Sequence, residues 1–170
     1  MNIFVLDDSP VKSAQLQHNK HVVKMILESA QMLCSVFDRD KFDVPYRRTH
    51  YNHPCSVWTR ESMANFMWLI QHGFALSSEY TYRYGKTHKS LDVIKWCYYN
   101  AVKLNIDKVK QKSNFALAMP VEYKTKVDGK YNAVQSYRKY YIAEKLNNKT
   151  EWKGRKIPKI FKKKMEEVSM

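Results

Sequence analysis

Asn19-Lys20-His21-Val22-Val23-Lys24-Met25-Ile26-Leu27-Glu28-Ser29-Ala30-Gln31-Met32-Leu33 is the stretch on which the fold turns. Wound as an α-helix, it sorts its side chains. Val23, Ile26, Leu27, Ala30, Leu33, Cys34 and Phe37 recur at helical spacing and form one apolar stripe. His21, Lys24, Glu28 and Gln31 follow one another at steps of three and four and form a contiguous polar strip. A base, a cation, a carboxylate and an amide therefore share one side. That strip is either a solvated face with an ordinary Lys–Glu pair, which is common on exposed helices, or the floor of a site.

Outward from this helix, the chain punctuates itself clearly. Ile3-Phe4-Val5-Leu6 is a β-prone run, and Ser9-Pro10 opens a short helix through about Leu16. Residues 38–52 read as a loop. Asn52-His53-Pro54 starts a further helix, with Asn52 or His53 capping. Ser62 caps a longer one, with Met63, Phe66, Met67, Ile70 and Phe74 buried and Gly85 at its end. A helix over about Leu91–Leu104 follows. Phe115 to Pro120 is an apolar segment that pairs, on this reading, with residues 3–6. Asp128-Gly129 is a turn, and a last helix spans about Asn132–Leu146. The expected fold class is mainly α, a compact single-domain helical bundle with at most a minor two-stranded extended pair.

The composition narrows the function classes. The formal net charge is +14, with 14% aromatic residues. Excess positive charge with many amphipathic rings suits an anionic, stackable partner, which describes nucleic acid. Only 4 glycines occur, and neither GxGxxG nor a P-loop is present. No apolar run reaches the length of a membrane span, so no membrane partner is expected. The cysteines Cys34, Cys55 and Cys97 are odd in number and widely spaced, which points to reduced thiols and a cytoplasmic location. His18-x-x-His21, and His50-x-x-His53 with Cys55, lack the tight ligand pairs of structural zinc sites, so no metal or other cofactor is expected.

Several motifs carry a resemblance. Ser13-Ala14-Gln15-Leu16, Lys20-His21-Val22-Val23-Lys24, Gln31-Met32-Leu33 and Asn52-His53-Pro54-Cys55-Ser56-Val57-Trp58 resemble a group of small tailed-phage proteins. That likeness extends to Phe115–Tyr123 and Ser136–Tyr141. More distantly, the chain is similar to the pyrimidine-dimer DNA glycosylase family. Members carry a Lys-x-x-Val-x-x-x-Gln-x-Leu helix and then an Asn-His-Pro-x-x-x-Trp helix, matched here by Lys20 to Leu33 with altered spacing and by Asn52 to Trp58. The resemblance implies a helical domain that binds duplex DNA on a basic face and attacks a damaged nucleotide with an amine beside a carboxylate. The chain departs from the family twice. The family amine is the processed N-terminus, which needs a small second residue, whereas Asn2 is not small, so Met1 is expected to stay. The family glutamate lies early in the central helix, where this chain has Lys20, His21 and Lys24, with Glu28 one turn later.

The expectation is thus a DNA-acting phage enzyme in the cytoplasm of the infected cell, glycosylase/AP-lyase-like or otherwise nucleobase-processing. Residues 1–150 form its DNA-acting domain and 151–170 a basic tail. Its catalytic set is Lys24 and Glu28 as an amine–carboxylate pair, with Lys20 and His21 depressing the amine pKa and His53 contacting phosphate or moving a proton. Its nucleic-acid contacts are Arg47, Arg48, Arg60, Tyr82, Arg83, Tyr84, Lys86, His88, Tyr137, Arg138, Lys153, Arg155 and Lys156. The alternatives are a noncatalytic nucleic-acid-binding or host-interaction protein, and a phage nucleotide-modifying transferase.

Overall fold

The computed structural model describes residues 1–170. Seven helices follow in order: α1 (Pro10–Leu16), α2 (Asn19–Cys34), α3 (Pro54–Glu61), α4 (Met63–Tyr84), α5 (Ser90–Asn100), α6 (Ala133–Glu144) and α7 (Lys159–Val168). The fold is mainly α. The only sheet is the two-stranded antiparallel pair β1 (Lys126–Val127) and β2 (Lys130–Tyr131). Helix starts follow local chemistry. Ser9 accepts from the Lys12 N–H, Ser62 from Asn65 and Asn132 from Gln135, while Gly85 ends α4 in the left-handed conformation at φ 66°. No helix is long and apolar enough to cross a membrane.

The longest helix, α4, packs against α1, α2, α3 and α5. Gly73 lets α5 close on it: a Cβ there would meet Ile94 Cδ1 at 2.9 Å. The face of α2 differs from the one that periodicity predicts. Val23 and Leu27 are exposed, whereas Val22, Met25, Ser29 and Met32 are buried. Helices α3, α4 and α5 all contact α2, so its buried arc is wider than a single stripe. The segment Ile3–Leu6 is buried but forms no strand. Its expected partner, 115–120, approaches it through a side chain, with Asn2 Nδ2 donating to Ala118 O at 2.8 Å. The extended pair lies instead around the Asp128-Gly129 turn.

The last 20 residues dock through aromatic rings. Trp152 donates its indole N–H to Leu16 O, and Phe161 of α7 stacks on Tyr141 and Trp152. The three cysteines are free and buried, with Cys34 and Cys97 Sγ atoms 3.7 Å apart.

Candidate active site

Buried backbone needs partners, and residues 2–6 find theirs in side chains. Asn2 Oδ1 accepts from the N–H groups of Ile3 (2.8 Å) and Phe4 (2.9 Å). Gln17 Nε2 donates to Ile3 O and Phe4 O, and Ser13 Oγ accepts from Leu6 N–H. Arg138 Nε donates to Leu6 O at 2.7 Å. Phe4 is held at φ 51°, a left-handed conformation that a bulky residue adopts only when its surroundings impose it. This clamp aims the start of the chain at α2.

There the N-terminal ammonium of Met1 lies 3.1 Å from Glu28 Oε1, and the Asn2 N–H donates to the same oxygen at 3.0 Å. Glu28 is only 7% exposed, and its Oε2 has no hydrogen-bond partner. Lys24 Nζ stands 4.0 Å from that oxygen on a side chain that is 70% exposed. Glu28 is therefore a buried carboxylate, while Lys24 stands in solvent beside it. His53 caps α3, its Nδ1 accepting from Cys55 N–H at 3.1 Å. Burial lowers the His53 pKa, the N-terminal ammonium and His50 lower it further, and Glu28 opposes them. The ring thus feels both charged members of the pair. Behind it, burial pushes the Cys55 thiol up to about 11.

His21 lies between two rings, stacked on Phe4 at 4.4 Å and on His18 at 4.2 Å. Tyr141 Oη accepts from His18 N–H and shares a hydrogen bond with His21 Nδ1, each at 3.0 Å. Burial, then the neighbouring cations, lowers the His21 pKa to about 2; burial also takes His18 to about 4. Both rings are neutral near neutral pH and brace the Phe4 clamp. Lys20 is exposed and lines a groove with His18, His21 and Lys24.

The basic residues divide into separate patches. Arg48 and Arg60 lie over the Tyr51 ring at 4.3 and 3.8 Å, next to exposed Arg47 and ahead of His53. Tyr82 donates to Gly154 O and carries Arg155 over its ring; Lys153 lies over Tyr84. Lys86 and Lys156 are exposed, whereas His88 accepts from Ser90 N–H and packs on Tyr80. Arg138 pairs with Asp7 at 3.3 Å.

Two residues expected at the DNA surface are interior. Arg83 is 3% exposed because it falls on the same inward line of α4 as Leu76 and Glu79. It bonds Glu79 at 2.9 Å and the carbonyls of Gln15 and Gln17, and Arg155 binds Glu79 from outside. Tyr137 is fully buried, donating to Ala116 O and accepting from Ala118 N–H. Sequence reasoning named the N-terminal amine only as the family's nucleophile and placed the amine of this chain on Lys24; it missed the Asn2 clamp and Tyr51. The one local signal was Asn2 ahead of an apolar run, which suits an Asx turn.

No curated protein and no solved structure matches the chain. The family model described as pyrimidine dimer DNA glycosylase matches residues 1–92, from Met1 through Glu28 and His53 into α5. That match covers more than half of the sequence and supports, at a coarse level, a DNA-repair glycosylase function with DNA as substrate. The chain belongs to the pyrimidine dimer DNA glycosylase family.

Proposed function

We propose that the protein is a DNA glycosylase/lyase whose nucleophile is the α-amine at the start of the chain, with Glu28 as its acid–base partner. The observation that carries this reading is the contact of 3.1 Å between the Met1 amine and Glu28 Oε1. Two amines approach this carboxylate, and chemistry separates them. α-Amines as a class are more than about two pKa units less basic than lysine amines, so a far larger fraction is unprotonated near neutral pH. The α-amine is also held in place, whereas the Lys24 side chain is 70% exposed and gains little orientation from its carboxylate. Loss of Met1 would leave an amine here too, because the Asn2 nitrogen already lies 3.0 Å from Glu28 Oε1.

The amine attacks C1′ of the target nucleotide, and the glycosidic bond breaks, its electron pair leaving with the base, which takes up a proton. The C1′–O4′ bond then opens and leaves an imine between C1′ and the protein nitrogen. Glu28 takes a proton from the amine through Oε1 and returns it to O4′. The target nucleotide must leave the stack to reach a buried carboxylate.

Borohydride reduces the imine to a stable amine and so traps protein on DNA that carries a cyclobutane dimer or an abasic site. Trapping by the free chain, and its loss after acetylation of the α-amine, are expected. Salt-sensitive binding without any adduct would instead favour the noncatalytic binding module.

A further inference from the structure

Cys34 closes α2 and Cys97 lies in α5, and their sulfurs stand 3.7 Å apart where the two helices pack together. Both residues are fully buried, and both thiols are free. Disulfide sulfurs lie about 2.05 Å apart, so bonding requires this pair to close by about 1.7 Å. The two sulfurs are unlike. The hydrogen bond from Cys97 lowers the Cys34 pKa against its burial, and the Tyr46 N–H and the Arg39 charge lower it further. The same contact, with burial, raises Cys97. Cys34 is thus the thiol that ionises and Cys97 the one that keeps its proton.

Tyr46 and Arg39 belong to a surface layer over the Cys34 sulfur. No residue from Asp38 to His53 is buried, and none belongs to a helix or strand. The layer is pinned by the Tyr46 hydroxyl on Ser90 Oγ at 2.8 Å and by Phe42 against Phe37 and Trp96. A segment without buried residues opens at lower cost than the core, and its opening admits a small oxidant to Cys34. Cys55 differs on both counts: its neighbour is the Tyr137 hydroxyl at 3.9 Å, not a second thiol, and burial raises its pKa to about 11.

We propose that Cys34 and Cys97 form a peroxide-responsive thiol pair, in which Cys34 is oxidised first and Cys97 resolves it to a disulfide joining α2 to α5. The oxidant is a peroxide, with hydrogen peroxide as the probe. The Cys34 thiolate attacks one peroxide oxygen; the O–O bond breaks, and the departing hydroxide takes up the thiol proton as water. This leaves a sulfenic acid on Cys34. The Cys97 sulfur then attacks the Cys34 sulfur, the S–O bond breaks, and the second hydroxide leaves as water with the Cys97 proton. Two thiols lose two electrons and one peroxide becomes two waters. The disulfide would tie down the helix that carries Glu28 and close a span of 63 residues. The pair is independent of the α-amine reading and survives its failure.

The test treats the reduced, folded full chain with hydrogen peroxide, then denatures it in N-ethylmaleimide and maps its peptides. A Cys34–Cys97 linkage with Cys55 alkylated is expected, together with a higher Tm that dithiothreitol returns to its starting value. In Cys97→Ser, dimedone should label Cys34; in Cys34→Ser, it should leave Cys97 unlabelled. Three alkylated cysteines, at a peroxide dose that fully oxidises free glutathione, overturn the proposal. So does oxidation of Cys55 in parallel with the pair, or a linkage that leaves Tm unchanged or lower. The wild-type mapping decides the matter even if the serine variants fail to fold.

Discussion

Glu28 Oε1 receives both the ammonium of Met1 at 3.1 Å and the amide of Asn2 at 3.0 Å, while Oε2 of the same carboxylate has no hydrogen-bond partner. The oxygen that holds the amine is thereby the one placed to take its proton. Glu28→Gln keeps the shape and removes the proton acceptor. Single-turnover strand scission at an abasic site is expected to slow by about 10²–10⁴-fold with DNA affinity nearly unchanged. An unchanged rate would remove Glu28 from the mechanism.

Asn2 is the hinge pin of the clamp. Its Oδ1 holds the Ile3 and Phe4 amides and its Nδ2 holds Ala118 O. Asn2→Ala leaves these buried groups unpaired, at about 1–3 kcal/mol for each group not re-solvated. It also releases Phe4 from φ 51°. Urea unfolding should show the stability loss, and trapping yield should fall while salt-sensitive DNA binding persists. Parallel loss of affinity and trapping would indicate general unfolding.

Arg83 lies at the junction of α1, α2 and α4 with the C-terminal segment through Gln15, Gln17, Asn19 and Glu79. Arg83→Ala leaves the carbonyls of Gln15 and Gln17 without their donor, while Glu79 keeps Arg155. A loss of about 1–3 kcal/mol for each buried group not re-solvated is expected, read as a fall in Tm of roughly 2–4 °C per kcal/mol. Preserved thermal stability with weakened DNA binding would return Arg83 to the surface role that its sequence neighbours suggest.

Acid should destabilise the fold through its buried imidazoles. His18 and His72 are lowered from 6.5 to about 4 and His21 to about 2, in each case chiefly by burial. The unfolded chain therefore takes up protons that the folded chain refuses. Stability is full above the unfolded pKa near 6.5 and declines as pH falls below it, continuing to about 4 for His18 and His72 and lower for His21. The slope is about 1.4 kcal/mol per pH unit for each histidine fully inside its window. Urea titrations across this range check it; a flat profile would mean that the rings take up protons in the folded state.

Much of the scaffold is legible residue by residue. Ser9-Pro10, Asn52-His53-Pro54, Ser62 and Gly85 mark their helix ends because capping is local chemistry. The polar strip of α2 contains Glu28, yet periodicity places that residue among solvated neighbours. Its burial depends on Met1 and Asn2 crossing over the helix, an approach between residues 26 or more positions apart that no pattern within α2 encodes. The exposure of Val23 and Leu27 has the same origin: which side of α2 faces solvent depends on three other helices. Arg83 and Tyr137 misled because adjacent arginines and tyrosines suggest a stacking surface, while the phase of α4 and α6 turns both inward.

The most direct measurement is peptide mapping of the borohydride-trapped adduct. Intact mass first establishes whether Met1 is retained, and tandem mass spectrometry then locates the reduced sugar. The α-amine mechanism predicts the adduct on the N-terminal peptide, at Met1 or, once Met1 is removed, at Asn2, with full trapping by Lys24→Ala. An adduct on Lys24, lost in Lys24→Ala and indifferent to acetylation of the α-amine, would contradict it.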